Sequence, residues 1–348
     1  AAGGRAAGFV NGVLRAIARA RSTLPWPDPA QDPVRYLSVR HSHPEWLVRR
    51  YLERLGRAET EQLLEANNAA PALTLRVNRL RAEPEQVARA LRGAGYQVEA
   101  GRYLPEALRV RAQTAPDRLP GFDEGWFTPQ DEAAMLVTHV LDPAPGGRVV
   151  DACAAPGTKT THIAEYMGDE GTVVALDVDP ERLHRVDENA RRLGLRSVRS
   201  QVGDARRAAQ LLGVEWADRV LVDAPCSGLG TLARRPDLRW RKRPEDIPAL
   251  AELQGQILDG CAPLVRPGGV LVYSTCTTEP EENEQVIAAF LERWPVFRPA
   301  SGVWDRIKLP AGADLEAEGK GLQLWPHRHG TDGFFIAKLE RLDGEAAR

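Results

Sequence analysis

Downstream of residue 121, short apolar runs alternate with stretches of helical amphipathic period, and this alternation narrows the fold more than any other feature of the chain. Strands are expected over 148–153, 172–178, 198–203, 219–224 and 269–275. Strands that are apolar throughout belong to parallel sheets, because crossover helices cover both of their faces. Helices are expected between them, over 158–167, 180–193, 205–212 and 245–264. A further helix starts near 280, with Glu281, Glu282 and Glu284 in its first turn, where acidic side chains offset the N-terminal dipole. A closing strand is expected over 334–339. The fold class is therefore α/β, with a doubly wound Rossmann-like domain over 126–348.

The upstream pattern is different. Val10, Val13, Leu14 and Ile17 lie at helical spacing within 9–21, a Pro-rich break covers 25–33, and two more helices are expected over 44–55 and 59–67, with Thr60 as an N-cap. Residues 73–77, 96–98 and 107–110 alternate as short strands around a helix over 83–93 that Gly93 closes. We read a helical segment over 1–70 and a small α/β module over 71–125. The module is too short to hold a cofactor and suits a positioning role.

Charge is divided between these parts. Residues 1–120 carry 19 Arg, no Lys and 12 acidic residues, a net +7, so the overall −2 leaves −9 for the remainder. An Arg-rich arm beside a more acidic domain fits phosphate contact next to a small-cofactor site, although solvated helix faces contribute part of it. No apolar run approaches the roughly 18 residues of a membrane span, and residues 1–10 lack the features of a signal peptide, so a cytoplasmic location is expected. The first residue is Ala, which points to a trimmed chain or one that lacks a longer natural N-terminus. Cys153, Cys226, Cys261 and Cys276 are scattered without a C-x-x-C pair, which argues against disulfides and zinc. The pairs His41/His43 and His327/His329 have no flanking Cys or carboxylate cluster, so no metal is expected.

Open α/β sheets bind ligands at the carboxyl ends of their strands. The first strand leads into Asp151-Ala-Cys-Ala-Ala-Pro-Gly-Thr-Lys-Thr160, a small-residue turn into a helix that carries neither G-x-G-x-x-G nor a G-x-x-x-x-G-K-[ST] cradle, which disfavours a pyrophosphate ligand. The second strand ends at Asp177, 26 residues beyond Asp151, where a carboxylate accepts the ribose hydroxyls of an adenosine-containing cofactor. The third ends at Asp204, which could meet an adenine amino group or simply cap the next helix.

The fourth strand runs into Asp223-Ala-Pro-Cys-Ser-Gly228 and the fifth into Ser274-Thr-Cys276, which places two thiols at neighbouring strand ends. Cys261, on a helix, reads as a small buried hydrophobe. Carbon 5 of a cytosine becomes nucleophilic only after a group adds to carbon 6, and a thiolate both adds and leaves. Cys276 or Cys226 could supply it, with Asp223 offsetting charge near ring nitrogen 3 if it carries or shares a proton. The second cysteine, or a water it holds, could take the carbon-5 proton. Sequence geometry does not decide which sulfur attacks.

The motifs D-A-C-A-A-P-G-T-K-T, D-A-P-C-S-G-L-G-T-L-A-R-R-P-D, Y-S-T-C followed by E-P-E-E-N-E, and H-G-T-D-G-F-F-I-A-K-L resemble those of the bacterial RsmB-type (Sun/Fmu) ribosomal RNA cytosine-5 methyltransferases. G-W-F-T-P-Q-D at 125–131 is similar to the family segment that enters the methyltransferase domain, and F-V-N-G-V-L-R at 9–15 to the end of its NusB-like RNA-binding domain. The resemblance covers nearly the whole chain but only the tail of that helical domain, as in a truncated chain or a short variant. It implies Cys276 as nucleophile, Cys226 as an aid to product release, and Asp223 in contact with cytosine and the cofactor. It also implies S-adenosylmethionine held by Cys153, Ala154, Ala155, Pro156, Gly157, Thr158, Lys159, Asp177 and Asp204, and a small-subunit (16S) ribosomal RNA substrate. Thr158 departs from the family's usual Gly. If that position has a positive φ, the turn is strained; otherwise the change is harmless.

Immediately after the Asp-Ala-Pro-Cys motif, Arg234, Arg235, Arg239, Arg241, Lys242 and Arg243 surround Trp240, which suggests phosphate contact and base stacking, against the plainer reading of a charged surface loop. A nicotinamide dehydrogenase would share Asp177 but lacks its Gly fingerprint here. Methylation of another RNA such as tRNA, a DNA cytosine methyltransferase and a non-catalytic RNA-binding scaffold are the competing readings. A monomer is expected.

Overall fold

The computed structural model describes residues 4–21, 23, 26–112, 114–301 and 321–343, and the chain divides into two compact units, 1–65 and 66–348. In the first, α1 (Gly4–Arg19) leaves its apolar stripe, Phe9, Val10, Val13, Leu14 and Ile17, exposed. Helix α2 (Pro33–His41), which starts where the Pro-rich break ends and to which the sequence reading assigned no element, is capped by Asp32, whose carboxylate accepts the Arg35 N–H at 3.0 Å. The two helices expected over 44–67 run together as α3 (Glu45–Asn68), bent at Gly56 with φ 70°. Thr60 does not cap: it is buried and its hydroxyl donates to the Gly56 carbonyl at 2.7 Å.

The second unit opens with β1 (Leu73–Val77), α4 (Pro84–Gly93), β2 (Gln97–Ala100), β3 (Ala107–Arg111) and β4 (Phe127–Pro129), an antiparallel sheet ordered β2-β3-β1-β4. Helix α4 buries Val87, Ala88 and Leu91 against Leu75, Val77, Leu108, Val110 and Phe127. Then α5 (Glu132–Leu141) begins, with Asp131 accepting the Ala133 N–H at 3.0 Å.

The large sheet uses β5 (Arg148–Asp151), β6 (Thr172–Asp177), β7 (Val198–Val202), β8 (Ala217–Asp223), β9 (Val265–Thr275), β10 (Phe297–Pro299), β11 (Leu322–Leu324) and β12 (Phe334–Arg341). Its order is β10-β12-β9-β8-β5-β6-β7, with β11 also on β12; β5 to β9 are mutually parallel, and β12 is antiparallel to β9. Helices α6 (Thr158–Tyr166), α7 (Pro180–Leu193), α8 (Ala208–Leu212), α9 (Leu238–Arg241), α10 (Asp246–Cys261), α11 (Glu284–Arg293) and α12 (Pro326–His329) complete the unit. Successive strand residues point to opposite faces, so Val149 joins Met135 and Ile163 of α5 and α6, while Val150 joins Leu258 of α10. The chain leaves β5 toward β6 and β7 and returns to β8 on the other side, which puts the switch point, where open sheets hold ligands, between β5 and β8.

Arg76 of β1 is fully buried, and most of its guanidinium contacts reach across to α6. It donates to Glu165 Oε2 at 3.0 Å, Glu165 Oε1 at 2.9 Å, Thr161 Oγ1 at 3.0 Å and the Thr158 carbonyl at 2.7 Å, and also to Gln130 Oε1. Burial pushes the Glu165 carboxyl up, against the pull of Arg76. The small sheet is thereby fastened to the helix that follows the first strand-end turn.

Candidate active site

At the carboxyl end of β5, Asp151 is buried and accepts the Thr160 hydroxyl at 2.7 Å. Burial pushes its carboxyl up to about 7, so it supports the turn from below. The turn closes at Gly157, whose φ of 96° and 3.0 Å clearance to Val186 for a Cβ both demand glycine. Thr158 is the first residue of α6 and lies outside the left-handed region, so its departure from Gly introduces no backbone strain. Cys153 is half-buried in this turn, and burial raises its thiol.

Asp177 ends β6 with Oδ2 accepting the Ala155 N–H at 3.1 Å and Oδ1 accepting the Asp179 N–H at 3.1 Å. Two carboxylate oxygens offer about four acceptor sites, so two remain for ribose hydroxyls. Beside it, Val178 is 61% exposed and Val202, its neighbour on β7, is 51% exposed, apolar surface of the kind a purine covers. The turn, Asp177 and these valines therefore fit an adenosine-containing cofactor. Asp204 does cap the turn that follows it, accepting the Arg206 N–H at 2.9 Å. Its carboxylate also holds the Arg206 guanidinium at 2.6 Å, and that bond keeps it below the usual carboxylate range. An adenine amino group would meet an oxygen already shared with Arg206.

Parallel pairing of β8 with β9 sets Asp223 opposite Ser274, and the two loops beyond bring the sulfurs of Cys226 and Cys276 to 3.4 Å, both half-buried. Ser274 Oγ donates to Asp223 Oδ1 at 2.8 Å, and Lys159 Nζ donates to Asp223 Oδ2 at 2.7 Å. Lys159, read from sequence as part of the cofactor turn, thus reaches toward the cysteines and lies 5.0 Å from the centre of the Phe334 ring. Burial alone would lower its ammonium, but Asp223 outweighs that and raises it. Hydrogen bonding from Cys226 lowers Cys276, with burial and the Asp223 charge opposing and Lys159 and Arg235 assisting, whereas the same contact and burial raise Cys226. Of the two thiols, Cys276 is therefore the easier to ionise and Cys226 the harder. Cys261 is buried in the core and pushed up to about 12, as its helical position suggested.

The basic loop separates into two groups. Arg234 pairs with Asp131 at 2.8 Å and Asp332 at 3.0 Å. Arg239 is only 3% exposed and donates to Asn68 Oδ1 at 2.7 Å and the Asn67 carbonyl at 3.0 Å, so it is a packing residue rather than a surface cation. Arg235, Arg241 and Arg243 stay exposed, Lys242 is half-buried, and Trp240 is 60% exposed. The sequence reading missed Ser227, Gln254, Thr277 and Glu282, which are buried around the two cysteine loops, since nothing local marks them. His43 and His329 are buried with hydrogen bonds to the His41 carbonyl and the Trp325 backbone. Among the described residues, two carboxylate–histidine groups, Glu106/His139/His162 and His41/Glu61/Glu65, have donor atoms within 4.8 Å of one another; in the first, His139 Nε2 and Glu106 Oε1 already bond at 2.6 Å.

Fold and site together define a Rossmann-like methyltransferase. The 16S rRNA methyltransferase RsmB/F family matches residues 138–340, and the ferredoxin-like domain of RsmF/B-like methyltransferases matches 43–115. The probable ribosomal RNA small subunit methyltransferase B of Bacillus subtilis is 41% identical over 96% of this chain and 74% of its own length. Its counterpart from Synechocystis is 44% identical over 88% and 68%. Among solved structures, NSun6 from Pyrococcus horikoshii with SFG superposes with a TM-score of 0.76 at 26% identity, covering 86% of this chain and 98% of that one. A methyltransferase homolog protein from the same organism gives 0.74 at 31%, covering 88% and 98%. The chain belongs to the RsmB/F family of 16S rRNA methyltransferases, and S-adenosylmethionine is its methyl donor. No helix among the described residues is long and apolar enough to cross a membrane.

Proposed function

We propose that the chain methylates carbon 5 of a cytosine in small-subunit ribosomal RNA through a transient bond between Cys276 Sγ and ring carbon 6. The observation that carries this reading is the 3.4 Å contact between the two sulfurs, beside the Lys159–Asp223 pair at the switch point. The turn 153–159, Asp177 and Asp204 hold the donor, which supplies a methyl group on a positively charged sulfur. The Cys276 thiolate adds to carbon 6 while Lys159 and Asp223 place a proton near ring nitrogen 3, and the electron pair released at carbon 5 takes the methyl group. Cys226, once its own proton has passed to solvent, or a water it holds, then takes the carbon-5 proton; the carbon 5–carbon 6 double bond re-forms as the carbon–sulfur bond breaks, the proton at ring nitrogen 3 returns to the Lys159–Asp223 pair, and Cys276 regains its thiolate. The small module over 71–125 positions RNA for the domain over 126–348.

Tritium release from RNA labelled at carbon 5 of cytosine tests the chemistry, since that hydrogen must leave once per methyl transferred. Methylated product that keeps its label, or equal release from DNA, would sink the reading. Arg235, Trp240, Arg241, Lys242 and Arg243 are proposed to hold the strand while the base turns out. Replacing Arg241, Lys242 and Arg243 with Ala should reduce the salt slope of RNA binding by about 0.7 for each phosphate that the loop no longer neutralises. An unchanged slope returns the loop to ordinary surface.

A further inference from the structure

Glu282 is 0% exposed, in a 3-10 turn (Pro280–Glu282) that ends before α11 begins. Its Oε1 accepts the Ser227 N–H at 2.8 Å and Gln254 Nε2 at 3.1 Å, and its Oε2 accepts the Ser227 hydroxyl at 2.5 Å. Ser227 Oγ also meets Thr277 Oγ1 at 2.8 Å. Ser227 directly follows Cys226, and Thr277 directly follows Cys276, so one carboxylate is linked to both cysteine-bearing segments. Two further bonds extend the clamp. Gln254 Nε2 donates to the carbonyl of Pro225, immediately before Cys226, at 3.0 Å, and the Tyr273 hydroxyl donates to the Glu282 carbonyl at 2.6 Å.

Among the described residues, no Lys, Arg or His nitrogen pairs with this carboxylate. Burial raises Glu282, and the donors from Ser227, Gln254 and Thr277 pull against it. A buried carboxylate held by neutral donors keeps its field, which a cation would cancel. Contact with Cys276 and burial raise Cys226 most, and the Glu282 carboxylate adds a smaller push in the same direction. A neutral side chain could provide packing alone, but it could not distinguish the two sulfurs electrically.

We propose that Glu282 is a positioning residue for methyl transfer: it holds the two cysteine segments in register, with their sulfurs 3.4 Å apart, so that Cys276 rather than Cys226 is presented as the attacking sulfur. This rests on the assignment of Cys276 as nucleophile.

The experiment compares the unsubstituted chain with Glu282→Gln, which removes the charge and turns one accepting oxygen into a donor. Loss of a charge-assisted bond should lower kcat by about 10- to 100-fold, with KM for RNA and for S-adenosylmethionine changing less than about threefold. Alkylation by iodoacetamide, read by mass spectrometry of each cysteine peptide, should shift from Cys276 toward Cys226 by about fivefold or more, and its midpoint should move to lower pH because a neighbouring negative charge is gone. A merely structural loss would not redistribute the label. Wild-type kcat together with a wild-type labelling ratio would overturn the proposal. Should Glu282→Gln fail to fold, Ser227→Ala decides the clamp: it removes the hydroxyl bridge and keeps the charge. A drop in kcat of about fivefold with an unchanged labelling ratio supports the clamp, and wild-type kcat overturns it. If Cys276→Ala remains active, the nucleophile assignment itself fails; if Cys276→Ala is dead while Glu282→Gln behaves as wild type, only the role of Glu282 fails.

Discussion

Replacing Cys276 with alanine should cut methyl transfer by about 10⁴-fold or more, while affinity for S-adenosylmethionine stays within about twofold. The loss is large because carbon 5 of cytosine has no other route to nucleophilic character, and no neighbouring side chain substitutes for a thiolate. Cys226 lies 3.4 Å away, yet in the variant, with the Cys276 contact gone, burial still raises its thiol, so it is a poor reserve nucleophile. Donor affinity should survive because the turn 153–159, Asp177 and Asp204 come from other strand ends. Labelled methyl transfer to a ribosomal RNA transcript, paired with calorimetry of donor binding, measures both quantities. Turnover above about 1% of wild type would mean that the attacking group has been assigned to the wrong residue.

Cys226→Ala should give the opposite phenotype, an enzyme caught on its substrate. With Cys276 intact, addition and methyl transfer proceed; without the second sulfur, removal of the carbon-5 proton slows by about 10²- to 10⁴-fold, the usual worth of a positioned acid or base. The carbon–sulfur bond then persists, and a protein–RNA band should survive denaturing electrophoresis. The double variant Cys226→Ala/Cys276→Ala should lose that band. A Cys226→Ala enzyme that turns over normally, or that is inactive and leaves no band, would remove this cysteine from the release step.

These two residues were legible in the sequence because each follows directly on a strand of strong apolar pattern, and strand ends in a parallel sheet face one side. The large sheet was legible for the same reason. Helix α5 was not, since nearly every residue over Glu132–Leu141 is buried and such a helix shows no amphipathic period. Strands β4, β10 and β11 are three residues each, too short for any periodicity to register. Within the site, the partners of Lys159 and Glu282 lie 64 and 55 positions away, so neither role could be read locally. Glu282 looked like a helix-dipole acid because Glu281 and Glu284 flank it, but the turn rotates its carboxylate inward. The basic loop shows the reverse error: a count of Arg residues cannot reveal that Asp131, Asp332, Asn67 and Asn68 have already claimed Arg234 and Arg239.

The guanidinium of Arg76 has a consequence for how such a protein can be taken apart. It is covalently part of the small sheet, yet among the described residues the acid that neutralises its charge is Glu165 on α6. Excising the sheet would strand that acid in a dry interior, and transplanting the sheet onto another catalytic scaffold would strand the base instead. The small sheet and the helix that follows the first strand-end turn must therefore be inherited, swapped or engineered as one piece.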